Sequence, residues 1–174
     1  ALGEVVRRTR SAFPGLVFVA ETYVKENYRR YLSTSSIDIL YDKSGSYDIL
    51  RAISNGNCSA TALTSNWQWQ AEIQGAMLNF LENHDEPRFP SEEIAADPLH
   101  SFPALCTSLC LNTAPFMVYF GEEIGEKGQD EEGYSGRNNR TTTLDWWQIS
   151  SVTDLYNETH GHPSPDDPPR AYLQ

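Results

Sequence analysis

The sequence predicts an α/β fold of parallel strands alternating with helices, amounting to half of a TIM (β/α)8 barrel. Three observations carry that expectation. Short apolar runs end near residues 20, 41, 81 and 120, a mean spacing of about 33 residues where a barrel of ~250 residues uses about 31 per unit. Helical or polar stretches fall between the runs, as βαβ units require. Charge follows each run directly. A doubly wound open sheet repeats at a similar spacing. The polar strand ends favour the barrel, in which all such ends open onto one face.

Each element has its own signal. Leu2, Val5 and Val6 have helical spacing with Glu4, Arg7, Arg8 and Arg10 on the other side, and Pro14-Gly15 closes that helix. No capping residue precedes Leu2, so the chain is expected to open inside a helix. Residues 16–20 (LVFVA) form a continuously apolar, β-rich run, expected as a strand buried on both faces. A polar, aromatic helix or loop follows to Tyr31, then a second strand at 37–41 (IDILY). A helix is expected over 47–54 and a further region over 59–70. The third strand is 76–81 (AMLNFL). A strong helix covers 98–112, with Leu99, Phe102, Leu105, Cys106 and Leu109 on the expected core side. The fourth strand is 115–120 (PFMVYF), followed by a Gly- and charge-rich loop over 121–140. The whole chain, 1–174, reads as one partial barrel domain with a Pro- and Asp-rich, loop-like tail at 148–174, and both ends are expected to be cut from something longer.

Composition narrows the partners. With 13 Lys and Arg against 24 Asp and Glu, the net charge is −11. An acidic surface repels phosphates, so neither nucleic acid nor an anionic membrane is expected as a partner. No apolar run approaches the ~20 residues a membrane span needs, and no secretory leader is read at the start. The odd count of three cysteines is no disulfide framework. Cys106 and Cys110 share a helix side without a nearby His, so they are expected in the core rather than on a metal. Three sequons, at Asn57, Asn139 and Asn157, are read as chance. Trp67, Trp69, Trp146 and Trp147 suit sugar faces and core packing equally.

The strand ends hold the chemistry. LVFVA leads into Glu21-Thr22-Tyr23, IDILY into Asp42-Lys43, NFL into Glu82-Asn83-His84-Asp85, and VYF into Gly121-Glu122-Glu123. Glu21 and Asp85 each follow an apolar strand and lie two βα units apart, so a barrel would bring them together across its mouth. Two facing carboxylates can divide roles: one, partly desolvated, keeps a proton and acts as general acid, while the other stays ionised and stabilises positive charge. Cleavage of a glycosidic bond has that demand, since the leaving oxygen takes a proton while the sugar becomes oxocarbenium-like. His84 and Arg88 can bond sugar hydroxyls or orient the carboxylates. Asp42 and Glu122 lie on the rim, where substrate contact or a structural loop role is open.

These residues carry a resemblance. FVAETY (18–23) resembles the strand-five motif of the alpha-amylase family of glycoside hydrolases, and FLENHDEPR (80–88) resembles its strand-seven motif with the family-defining His-Asp pair. NTAPFMVYFGEEIGEKG (112–128) is similar to the family's strand-eight region, and SGRNNRTTTLDWW (135–147) to the stretch next after that strand. The resemblance implies the C-terminal half of the catalytic barrel, strands five to eight, acting on α-linked glucans by retaining double displacement. It implies Glu21 as general acid/base, Asp85 as the stabilising carboxylate and His84 as a sugar contact. Tyr23, Arg88 and Asp42 are expected as further substrate contacts. Glucanotransferases and branching enzymes share these motifs, and a non-catalytic amylase-like binding module is the rival from another class. The family's nucleophile is an Asp at the end of strand four, whereas residues 1–20 contain no Asp. The chain alone is therefore expected to be inactive, and a complementing chain or self-association is expected to close the barrel. No cofactor is expected, and no metal is assigned.

Overall fold

The computed structural model describes residues 1–127, together with residues 157 and 159. It divides into two compact units, one of Ala1–Phe80 and Cys106–Met117, the other of Leu81–Leu105 and Val118–Gln174. The expected tail over 148–174 lies outside the described residues apart from those two positions.

The first unit holds a parallel sheet of four strands among the described residues, in the order β1-β2-β3-β4. β1 is Val19–Ala20, β2 Ile39–Tyr41, β3 Met77–Phe80 and β4 Phe116–Met117. Val19 pairs with Ile39, Leu40 with Met77, and Asn79 with Phe116. Parallel neighbours need long return connections. Helix α2 (Tyr28–Ser35) fills the first, and α3 (Asp48–Ser54) and α4 (Thr61–Gln70) fill the second. Helix α1 (Leu2–Ala12) precedes β1, and α5 (Pro98–Cys110) lies between β3 and β4. Spatial order follows chain order without the reversal that marks a doubly wound sheet. The arrangement, parallel strands alternating with helices, is consistent with a (β/α)8 barrel fragment.

The core of this unit gathers Val6 from α1, Tyr28 from α2, Ile37, Leu40 from β2, Ile73 and Met77 from β3. Val6 is the buried residue of α1, as its spacing with Leu2 and Val5 suggests, though Leu2 and Val5 stay exposed. Asp38 ties the first turns together. Its Oδ2 accepts from the Phe18 amide at 2.8 Å and from Arg10 Nη2 at 2.6 Å. The start of β2 is thereby locked to α1 and to the run before β1. β3 has every residue buried, the pattern of a central parallel strand. Its Phe80 lies between Tyr47 (ring centroids 5.2 Å, stacked) and Tyr41 (5.1 Å).

Three expectations need correction. The 16–20 run is not buried on both faces: Leu16, Val17 and Val19 are 45%, 62% and 50% exposed. β1 is an outer strand of the sheet among the described residues, pairing only with β2, so nothing there covers its far side. Helix α5 does not bury its apolar side. Ser101, Ala104 and Ser108, at i, i+3 and i+7, face inward, while Leu99, Phe102 and Leu109 are exposed. Small side chains allow closer approach than leucines do. Cys106 and Cys110 lie on that outer side and are exposed free thiols, not core residues.

Phe80 offers a direct check on the sheet. Phe80→Ala removes a buried ring held between two tyrosines and is expected to cost about 3–5 kcal/mol. Urea denaturation of the folded chain reads this as a fall in midpoint, and a loss below about 1 kcal/mol would show that the strand does not depend on the stack.

Candidate functional site

Every strand of a parallel sheet ends at the same edge, and the charged residues start there. In the first unit, Glu21 follows β1 immediately and is exposed. The Tyr23 hydroxyl donates to Glu21 Oε1. Ser44 Oγ in turn donates to the Tyr23 carbonyl at 2.5 Å, and Lys43 Nζ stands 5.9 Å from the centre of the Tyr23 ring. On β2, burial and the nearby Glu21 carboxylate push the Tyr41 hydroxyl above the ordinary tyrosine range. Glu21 is thus set among tyrosines at the exposed end of β1.

Asp42, at the end of β2, is 1% exposed. Its Oδ2 accepts from the Ser46 amide at 2.9 Å and from Gln70 Nε2 at 2.6 Å. That caps the wide turn Lys43–Tyr47 which launches α3. Gly45 is needed in this turn, since any Cβ there would run into the Asp42 carboxylate. The expectation of a sugar contact does not fit Asp42, because both its oxygens are enclosed and Oδ2 is taken by the fold. The structural role left open by the sequence is the one observed.

The second unit is built from the segments that leave β3 and β4. His84 and Asp85 lie in the loop after β3, with His84 Nε2 3.5 Å from Asp85 Oδ2. Asn83 shapes this loop: its Oδ1 accepts from the Asp85 and Glu86 amides, both at 2.9 Å. An asparagine bonding the backbone two residues on is a standard turn device. Arg88, expected to touch sugar or orient carboxylates, is 0% exposed. Its Nη1 donates to Glu82 Oε2 at 2.6 Å and its guanidinium lies over the Tyr119 ring at 4.7 Å. A guanidinium sealed in this way does not reach a sugar; its charge is turned inward, onto Glu82.

Glu82 and Glu122 were on the predicted rim but carried no firm role, and both are buried beside Arg88. Burial drives Glu82 upward from the ordinary carboxylate range, against the pull of Arg88 and the Phe89 amide. Glu122 is pushed up to about 8, first by burial and then by the neighbouring Glu82 charge. One guanidinium cannot neutralise both carboxylates, and Glu82 holds the better bonds. Glu122, whose Oε2 accepts from the Tyr119 amide at 2.9 Å, is the one pushed toward holding a proton near neutral pH. The sequence signal was the spacing itself: an acid placed straight after an apolar strand end, six residues before an arginine.

Glu21, Tyr23 and Asp42 therefore belong to the first unit, and His84, Asp85 and Arg88 to the second. Trp67 is exposed and Trp69 half-buried under Lys25 and Arg29, while Trp146, Trp147 and the 135–147 motif lie outside the described residues. No helix among the described residues is long and apolar enough to cross a membrane.

A parallel sheet with acids at its C-terminal edge is the layout of barrel enzymes that work at that edge. The family model for the alpha-amylase catalytic domain matches residues 4–161, and the chain belongs to that family. Membership implies a glycoside hydrolase. No curated protein matches the chain at a significant level.

The retained proton has a pH signature. The folded pKa of Glu122, about 8, lies above its ordinary 4.5, so the folded state holds a proton that the unfolded state releases between those values. Stability is fully present below about 4.5 and is lost as pH rises to about 8, at no more than ~1.4 kcal/mol per pH unit. Glu122→Gln is neutral throughout and lacks that slope. Denaturation midpoints of both chains across pH 4–9 should diverge in this window, whereas parallel curves would remove the proton from Glu122.

Proposed function

We propose that the chain is the C-terminal half of a retaining alpha-amylase-type catalytic barrel, with β1 to β4 as barrel strands five to eight, cleaving α-linked glucans. One observation carries this reading. Glu21 and the His84-Asp85 pair each follow a strand of one parallel sheet, β1 and β3, in a chain of the alpha-amylase family. Their order and sequence context, FVAETY then FLENHDEPR, agree with the family's strand-five and strand-seven motifs.

In this reading Glu21 protonates the leaving oxygen and later draws the proton from water, with Tyr23 steering its carboxylate. Asp85 stabilises the oxocarbenium-like sugar and binds its hydroxyls. His84, beside Asp85, adds a hydrogen bond to the same sugar. The attacking carboxylate comes from outside residues 1–20, which hold no Asp. Assayed alone, residues 1–174 turn over no maltooligosaccharide, since no covalent intermediate forms without that group. The uncovered Leu16, Val17 and Val19 are where completing strands, from a continuous or a complementing chain or from self-association, would pack.

Substitution in the native protein that carries these residues tests the roles. Glu21→Gln should lower turnover of maltooligosaccharides roughly 10²–10⁴-fold. It should slow glycosylation by a dinitrophenyl glycoside far less, because that leaving group departs without a proton. Equal losses on both substrates would show that Glu21 is not the acid. Asp85→Asn should lower both rates.

A further inference from the structure

His84 and Asp85 have to present their side chains in one direction, yet they sit in a loop where those side chains are 53% and 37% exposed. Exposed loops of this kind sample many conformations unless something closes them. The closure here is a single buried carboxylate. Glu82 Oε2 accepts from Arg88 Nη1 at 2.6 Å, and Glu82 Oε1 accepts from the Phe89 amide at 2.9 Å. One side chain thus ties the residue before the loop to the two residues after it. Residues 83–87 are held between, with Asn83 setting the turn inside.

The far end of this tie is itself fixed. The Arg88 carbonyl accepts from the Ser91 amide at 3.0 Å, and the Phe89 carbonyl from the Ala95 amide at 3.1 Å. Phe89 is buried. The Tyr119 ring lies against the guanidinium. Gly121, at φ +84, comes so close that a Cβ would stand 3.4 Å from Arg88 Nη2 and 3.2 Å from Glu126 Cβ. Both the left-handed backbone and the close approach call for glycine.

Stability does not explain such a pair. Burying two charges costs several kcal/mol per ion, and an apolar pair of equal volume often serves the fold as well or better. An ion pair does supply direction, because a planar guanidinium and a carboxylate bond in few geometries. We propose that Glu82 and Arg88 are positioning residues of the reaction, whose buried pair closes the 83–87 loop so that Asp85 and His84 meet the sugar in a fixed orientation. This rests on the glycosidase reading of Asp85 given above.

The test compares Glu82→Gln, Arg88→Met and the double variant in the native protein. Glu82→Gln keeps the shape of the side chain but has one acceptor for two donors. Amide hydrogen exchange at Asp85 and Glu86 is measured against the Asp42 and Asn79 amides, which are bonded to the Leu78 and Pro115 carbonyls at 3.0 and 2.9 Å. Exchange at Asp85 and Glu86 should accelerate while the sheet amides stay protected. In the same variants kcat per folded molecule should fall roughly 100-fold, as misplacement by about an ångström costs, with KM changed much less. The double variant should keep the fold and not recover the rate. Unchanged loop protection, or an unchanged kcat per folded molecule, overturns the assignment. Should Arg88→Met fail to fold, Glu82→Gln decides alone. The two readings fail separately: an intact rate in Asp85→Asn sinks the functional reading, and an intact loop in Glu82→Gln sinks this one.

Discussion

Parallel pairing is the constraint on which the rest depends. Once β1 to β4 run in the same direction and in chain order, every segment that leaves a strand leaves at the same edge. Glu21 leaves β1 there, Asp42 leaves β2, Glu82 to Asp85 leave β3, and Tyr119 to Glu122 leave β4. The backbone hydrogen bonds of the sheet set the starting points, and short local devices do what remains. Those devices are the Tyr23 bond to Glu21, the Asp42 cap, the Asn83 turn and the Glu82 tie.

The acids that follow the strands fall into two kinds. Glu21 and Asp85 meet solvent, while Asp42, Glu82 and Glu122 are enclosed. An enclosed carboxylate has to be satisfied by the protein or be neutral. Asp42 Oδ2 is held by an amide and a glutamine, and the two oxygens of Glu82 by Arg88 and an amide. Burial and the Glu82 charge push Glu122 toward its protonated form. A cluster of acids that looks uniform in the sequence thus separates into groups available to a substrate and groups consumed in building the rim.

Much of the fold was legible because its signals are local. Short apolar runs with β-branched and aromatic residues named all four strands, and helical spacing named α1 and α5. Exposure was less legible. The LVFVA run has the composition of a doubly buried strand, but its burial depends on neighbours that the run itself does not encode. α5 misled for a related reason: Leu99, Phe102 and Leu109 are the more apolar side, yet Ser101, Ala104 and Ser108 permit the closer approach and are the ones buried. At the rim, composition could mark Asp42 and Arg88 as polar residues near a strand end. Whether they face a ligand or the protein turns on partners such as Gln70 and Glu82, and for Gln70 that partner lies 28 residues away in the chain. The nearer pair, Glu82 and Arg88, had a readable spacing, six residues apart, and only the structure shows that it is buried.

The proposed function requires Glu21 and Asp85 to act on a common substrate. A crystal structure of the native protein bound to a maltooligosaccharide or an aza-sugar mimic of the oxocarbenium state addresses it most directly. The account predicts one sugar ring with Glu21 at hydrogen-bond distance from the glycosidic oxygen, or its nitrogen mimic, and Asp85 bonded to hydroxyls of that same ring. A ligand bound elsewhere, or touching one carboxylate while the other points away from it, would contradict the account.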